Sequence, residues 1–110
     1  MDIAEAKTNG VVVLSLNGRV DASNAATLEQ KILALIAAGE KRLVIDCAQL
    51  QYMSSAGLRV LLVAAKRLSN DGKLGIAALS NSIRDVFDIA GFSSIFQIYR
   101  TQEEAVAAVQ

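Results

Sequence analysis

The sequence predicts an α/β fold: one domain over residues 1–110, with a mixed central β-sheet and α-helices mainly on one side. Three observations carry this. Apolar β-branched runs alternate with stretches of helical periodicity in the order β-β-α-β-α-β-α-β-α. Glycines fall between these segments while proline is absent, and no Ser/Gly-rich linker divides the chain. The length, 110 residues with 53% hydrophobic and 20% charged side chains, suits one globular domain, and such a chain buries roughly 65% of its unfolded surface on folding. Right-handed crossovers between parallel strands then collect most helices on one face.

The elements follow in order. Residues 3–8 and 11–16 read as two strands joined by Asn9-Gly10, a dipeptide suited to a tight hairpin turn. In residues 25–38 Leu28, Ile32, Leu35 and Ile36 repeat at helical spacing; Asp21, Ser23 or Asn24 can cap the start and Gly39 can end it. Residues 42–46, Arg-Leu-Val-Ile-Asp, form a short buried strand. A second helix over residues 55–69 turns Leu58, Leu61, Leu62, Ala65 and Leu68 inward and stops at Asn70-Asp71-Gly72. Residues 74–79 are a strand. Asn81 or Ser82 caps a third helix with Ile83, Val86, Phe87 and Ala90 inward, closed by Gly91. Residues 95–98 make the last strand, and Thr101 with Glu104 has capping-box spacing before a helix over 103–109.

Composition removes several functions. Eleven basic and eleven acidic residues cancel, and no basic run exceeds Lys41-Arg42 or Lys66-Arg67, so neither a nucleic-acid footprint nor a basic membrane-binding face is present. The N-terminus lacks the basic and apolar blocks of a signal peptide, and no uncharged run approaches the ~20 residues of a membrane span; a cytoplasmic location is the expectation. Histidine is absent, which removes a Ser-His-Asp triad and His-containing zinc sites. No Gly-x-x-x-x-Gly-Lys loop occurs. Asp21 and Asp46 could pair as carboxylates, though Asp46 at a strand end is more often a loop cap. The expectation is a non-enzymatic protein without cofactor or metal.

One segment stands out: Val44-Ile45-Asp46, a loop containing Tyr52-Met53, then Ser54-Ser55-Ala56-Gly57-Leu58 where a helix begins. Serine there has a plain structural use, accepting a bond from an orphan backbone N–H. The same position also favours an anion by ~0.3–1 kcal/mol, so the fold would tolerate a phosphate on Ser55. Gly57 costs ~1 kcal/mol in helix propensity against alanine; its bareness admits either another protein's backbone or a neighbouring element. Ser55, Arg59, Val63 and Lys66 share one helical stripe, a mixed apolar and basic surface.

These residues resemble the signature of STAS domains, specifically the stand-alone anti-sigma factor antagonists. Gly18-Arg19-Val20-Asp21 matches that family's turn after its second strand, and Val86-Phe87-Asp88-Ile89-Ala90-Gly91-Phe92 matches its late helix, so the resemblance covers essentially the whole chain. It implies that Ser55 is a phosphoacceptor. The implied partners are an anti-sigma factor serine kinase of the histidine-kinase-like ATPase fold, which binds the unmodified protein, and a PP2C-type phosphatase that resets it. Two departures are Ser54, where many relatives carry Asp, and Ala56, where others carry a second serine; the first leaves Ser54 as the alternative acceptor. Asp21, Asp46 and Ser54 are expected to flank the acceptor, and Gly57, Arg59, Val63 and Lys66 to meet the partner. The free protein is expected to be monomeric. The rival reading is a STAS subunit of a lipid-transport or other non-sigma complex.

Overall fold

Asn9 and Gly10 both take positive φ, 53° and 79°, the combination a two-residue turn needs to match the twist of its strands. They join β1 (Asp2–Thr8) to β2 (Val11–Val20) in an antiparallel hairpin with Thr8 opposite Val11. The computed structural model describes all of residues 1–110. After β2 come α1 (Ala25–Ala37), β3 (Arg42–Met53), α2 (Ser55–Leu68), β4 (Lys73–Ala77), α3 (Asn81–Ile89), a 3₁₀ turn (Phe92–Ser94), β5 (Gln97–Tyr99) and α4 (Gln102–Val109). The sheet order is β1-β2-β3-β4-β5, with β2 to β5 mutually parallel. The expected mixed α/β architecture is therefore what forms.

Val11 to Leu14 are buried on both faces of β2, which explains a run without polar alternation. One face, through Val12, Leu14, Leu16, Leu43 and Ile45, packs against α1, α2 and α3 in the main core. The other, through Val11, Val13, Val44 and Ala77, is closed by Ala105, Val106 and Val109 of α4. Helices thus lie mainly on one side, with α4 alone on the reverse.

Four local expectations are corrected. β3 does not stop at Asp46 but continues to Met53, pairing with β2 as far as Val20 opposite Met53. Cys47, Leu50 and Met53 are buried at spacings of three, and the register shifts between Ser15 and Asn17 and between Gly18 and Arg19 absorb the phase slip. A period-two reading breaks at that point. In α3, Ile83 and Phe87 are buried but Val86 and Ala90 are exposed, and the capping residue is Ser80, whose Oγ accepts from Ile83 N. β4 ends at Ala77 because Ala78 turns to φ 62°. β5 starts at Gln97 because the 3₁₀ turn intervenes; that turn lets Phe96 pack edge-to-face on Phe87 and Phe92, at 5.8 and 5.7 Å. The Thr101 cap forms as expected, Oγ1 accepting from Glu104 N at 3.1 Å.

Candidate functional site

The site is assembled where β2 and β3 end side by side. Val20 and Met53 are register partners, and Ser54 N donates to Val20 O at 2.9 Å, tying the entry of α2 to the end of β2. Leu58 N then donates to Ser54 O at 3.1 Å and the helix begins. Ser54 sits in N-cap backbone geometry (φ −83°, ψ 174°), yet its hydroxyl makes no capping bond. Its Oγ is buried and has no hydrogen-bond partner. The N–H groups of Ser55, Ala56 and Gly57, orphans of the first helical turn, consequently find no protein acceptor.

Ser55 itself is exposed. The first turn of α2 holds no acidic residue while its last turn holds Lys66 and Arg67. The positive end of the helix is thus uncompensated beside the Ser55 hydroxyl, a setting that favours an anion by ~0.3–1 kcal/mol. Two adjacent serines therefore differ sharply: one hydroxyl is presented to solvent, the other is enclosed.

The enclosed hydroxyl yields a matched test. An N-cap serine or threonine usually contributes ~1 kcal/mol through its bond to the helix. Thr101→Ala is expected to cost about that, since the Thr101 bond exists. Ser54→Ala is expected to stay within about 0.5 kcal/mol of wild type or to stabilise, because it removes a buried group without a partner. Urea denaturation of the two variants reads the difference directly; a Ser54→Ala loss as large as that of Thr101→Ala would contradict the geometry.

Gly57 is buried, and a Cβ there would lie 2.8 Å from Met53 Cγ and 2.8 Å from Val20 Cγ1. Its bareness serves packing of α2 on the ends of β2 and β3, so the expected place of Gly57 on the partner surface is corrected. Along the α2 stripe Arg59 and Lys66 are exposed and Val63 is half-buried.

Asp21 follows Val20 directly, next to the Val20–Ser54 bond. Its Oδ1 accepts from Ser23 N at 2.9 Å and Ser23 Oγ at 2.5 Å; these bonds, side-chain first, hold its carboxyl below the usual range, with Arg19 adding to them. Asn24 holds the same loop, its Oδ1 accepting from Asp21 N at 3.0 Å and its Nδ2 donating to Arg19 O at 2.9 Å. Asp46 is elsewhere. It lies mid-strand, opposite Ser15 and Ala77, and its carboxylate accepts from Ala48 N at 2.9 Å and Gln102 Nε2 of α4 at 2.7 Å. Between Asp46 and the site runs the rest of β3, about 20 Å at ~3.3 Å per residue. Asp46 anchors α4 and does not flank Ser55, which corrects that expectation.

Sequence reasoning missed one feature beside the site. Arg19 and Tyr52 are register partners, and the Arg19 guanidinium carbon stacks 4.3 Å from the Tyr52 ring centroid. Tyr52 remains 40% exposed, so this pair forms part of the surface around the α2 entry. Only the strand register reveals it. Cys47 takes no part: burial pushes its thiol up to about 12.

A fold of this order, with an exposed serine at the entry of the helix after β3, is that of STAS domains, and the STAS domain model matches residues 2–105: the chain belongs to the STAS domain family. Among curated relatives it is similar to BtrV of Bordetella bronchiseptica, assigned as an anti-sigma factor antagonist, at 41% identity over 98% of this chain and 94% of that protein. It is likewise similar to the anti-sigma-F factor antagonist RsfB of Mycobacterium tuberculosis, at 30% identity over 98% of this chain and 88% of that one. Among solved structures, an anti-sigma factor antagonist from Mycobacterium paratuberculosis superposes with TM-score 0.92 at 30% identity, covering 98% and 92% of the two chains. No helix is long and apolar enough to cross a membrane.

Proposed function

We propose that this protein is an anti-sigma factor antagonist whose partner binding is switched by phosphorylation of Ser55. The unmodified protein binds an anti-sigma factor serine kinase of the histidine-kinase-like ATPase fold and frees the kinase's other partner. It works in the cytoplasm, monomeric when free, and catalyses nothing itself. The observation that carries the reading is the exposed Ser55 hydroxyl at the entry of a helix whose first turn holds no acidic residue. The names of the relatives, anti-sigma factor antagonists, support the partner class.

In the proposed step the Ser55 oxygen attacks the γ-phosphorus of ATP bound to the kinase. A new P–O bond forms, the bond to the β-phosphate oxygen breaks, ADP leaves, and a base on the kinase takes the hydroxyl proton. The product carries about −1.5 to −2 charges, placed at the helix end that favours them, so the fold persists. Hydrolysis by a PP2C-type phosphatase, with water as nucleophile, restores the hydroxyl. Exposure favours Ser55 over Ser54 as acceptor, because the Ser54 oxygen is enclosed.

Mass spectrometry after incubation with the cognate kinase and ATP tests the assignment. One phosphate is expected on wild type and on Ser54→Ala, and none on Ser55→Ala. Loss of the phosphate in Ser54→Ala alone would move the acceptor to the neighbouring residue.

A further inference from the structure

Far from Ser55, at the other end of α2, the final turns of α2 and α4 and the strands β4 and β5 surround a cleft of about 520 Å³. The 3₁₀ turn creates it. Because Ile95 is still helical (φ −93°, ψ −41°), β5 begins late and pairs only with Gly75–Ala77. Lys73 and Leu74 at the start of β4 are left without a strand beside them on that edge.

Most lining residues are hydrophobic: Leu68, Phe96 and Val109 are buried, Leu74 is half-buried, and Ile95 stands 51% exposed at the lip. The volume falls within the range of small-molecule sites, ~300–1,000 Å³, and the wall mixes apolar side chains with polar groups. Four polar side chains share the lining, Ser69, Lys73, Gln97 and Tyr99; Ser69 Oγ donates to Lys66 O at 2.8 Å, and the other three make no side-chain hydrogen bond. Lys73 is the one charged residue of the lining and has no ion pair. The nearest acid in sequence, Asp71, is engaged by Lys41 Nζ at 2.6 Å. The cleft therefore combines apolar side chains, uncharged polar groups and a single cation without an ion pair.

We infer that this cleft binds an amphipathic monocarboxylate, its apolar body against Leu68, Leu74, Phe96 and Val109 and its carboxylate on Lys73. The site is separate from Ser55, and the inference stands independently of the phosphorylation reading.

Titration of the full chain with decanoate, below its micelle-forming concentration, followed by amide NMR shifts, tests it. Saturable shifts confined to residues 65–74, 95–99 and 105–109 are expected, with decanol and decylamine binding more weakly. Lys73→Gln, at an exposed position, is expected to weaken decanoate about fivefold, the loss of one solvent-accessible ion pair, and to leave decanol unchanged. Ala65→Trp, which fills the cleft, is expected to abolish binding; should it fail to fold, Lys73→Gln decides alone. Absence of saturable shifts, equal binding of decanoate, decanol and decylamine, or an unchanged decanoate affinity in Lys73→Gln would overturn the inference. So would movement of these resonances through self-association that Ile95→Lys abolishes, which would assign the cleft to a second copy of the chain.

Discussion

Ser55→Asp is expected to bind the proposed partner, an anti-sigma factor kinase, at least about 100-fold more weakly than wild type while keeping its fold. The two halves of that expectation rest on the same atoms. In the free protein the new carboxylate meets the uncompensated positive end of α2, where an anion gains ~0.3–1 kcal/mol, so thermal stability holds or rises slightly. In the proposed complex it would shed water against a partner surface that meets a hydroxyl in the unmodified protein. A buried interfacial charge without a counter-charge costs about 2–5 kcal/mol, and ~2.7 kcal/mol already corresponds to 100-fold. Phosphate, with nearly twice the charge, approaches the ~5.5 kcal/mol that moves an equilibrium from 1:99 to 99:1. Titration calorimetry measures the binding loss and amide NMR shifts check the fold. Equal affinity of the two proteins would defeat the charge argument, and shifts far from Ser55 would indicate refolding in place of an electrostatic switch.

Gly57→Leu is expected to destabilise the protein by about 3 kcal/mol, lowering Tm by on the order of 10–20 °C. Alanine alone would bring its Cβ to 2.8 Å from both Met53 Cγ and Val20 Cγ1. Neither atom is the free end of a flexible chain: Met53 is buried and Val20 is stiff and wholly enclosed. Leucine adds three carbons to the same clash, so α2 must lift from the strand ends. The smaller Gly57→Ala recovers up to ~1 kcal/mol of helix propensity and is expected to fall well short of the leucine variant. Thermal unfolding of the pair gives the comparison; a stable Gly57→Leu would mean that Gly57 does not set the approach of α2.

Much of this molecule can be read before any coordinates. Asn9-Gly10, Gly39 and the Thr101–Glu104 spacing each mark an element end through local backbone chemistry, and each end falls close to where it was expected. The exposed serine at the entry of α2 was legible too, since capping spacing and the family resemblance point to one place. What escaped notice depends on pairing between distant segments. The second half of β3 hides behind Ala48, Gln49 and Gln51 because two register irregularities with β2 change which side chains face inward. Asp46 looked like a strand end for that reason and lies instead beneath α4. The inward turn of Gly57, the enclosed Ser54 hydroxyl and the Arg19–Tyr52 stack all follow from Val20 lying opposite Met53, a register no single segment declares.

Sequential strand order also means that every pair of neighbouring strands is consecutive in the chain. Each new parallel strand joins the edge just laid down, so the sheet can grow outward from the hairpin without waiting for a distant partner. The reverse face is the exception: Val11, Val13, Val44 and Ala77 are closed mainly by α4, with Ala78 and Tyr99 packed at the margin. Until that eight-residue helix docks, one aliphatic face of the sheet is bare, and the Asp46–Gln102 bond ties the start of the helix to β3.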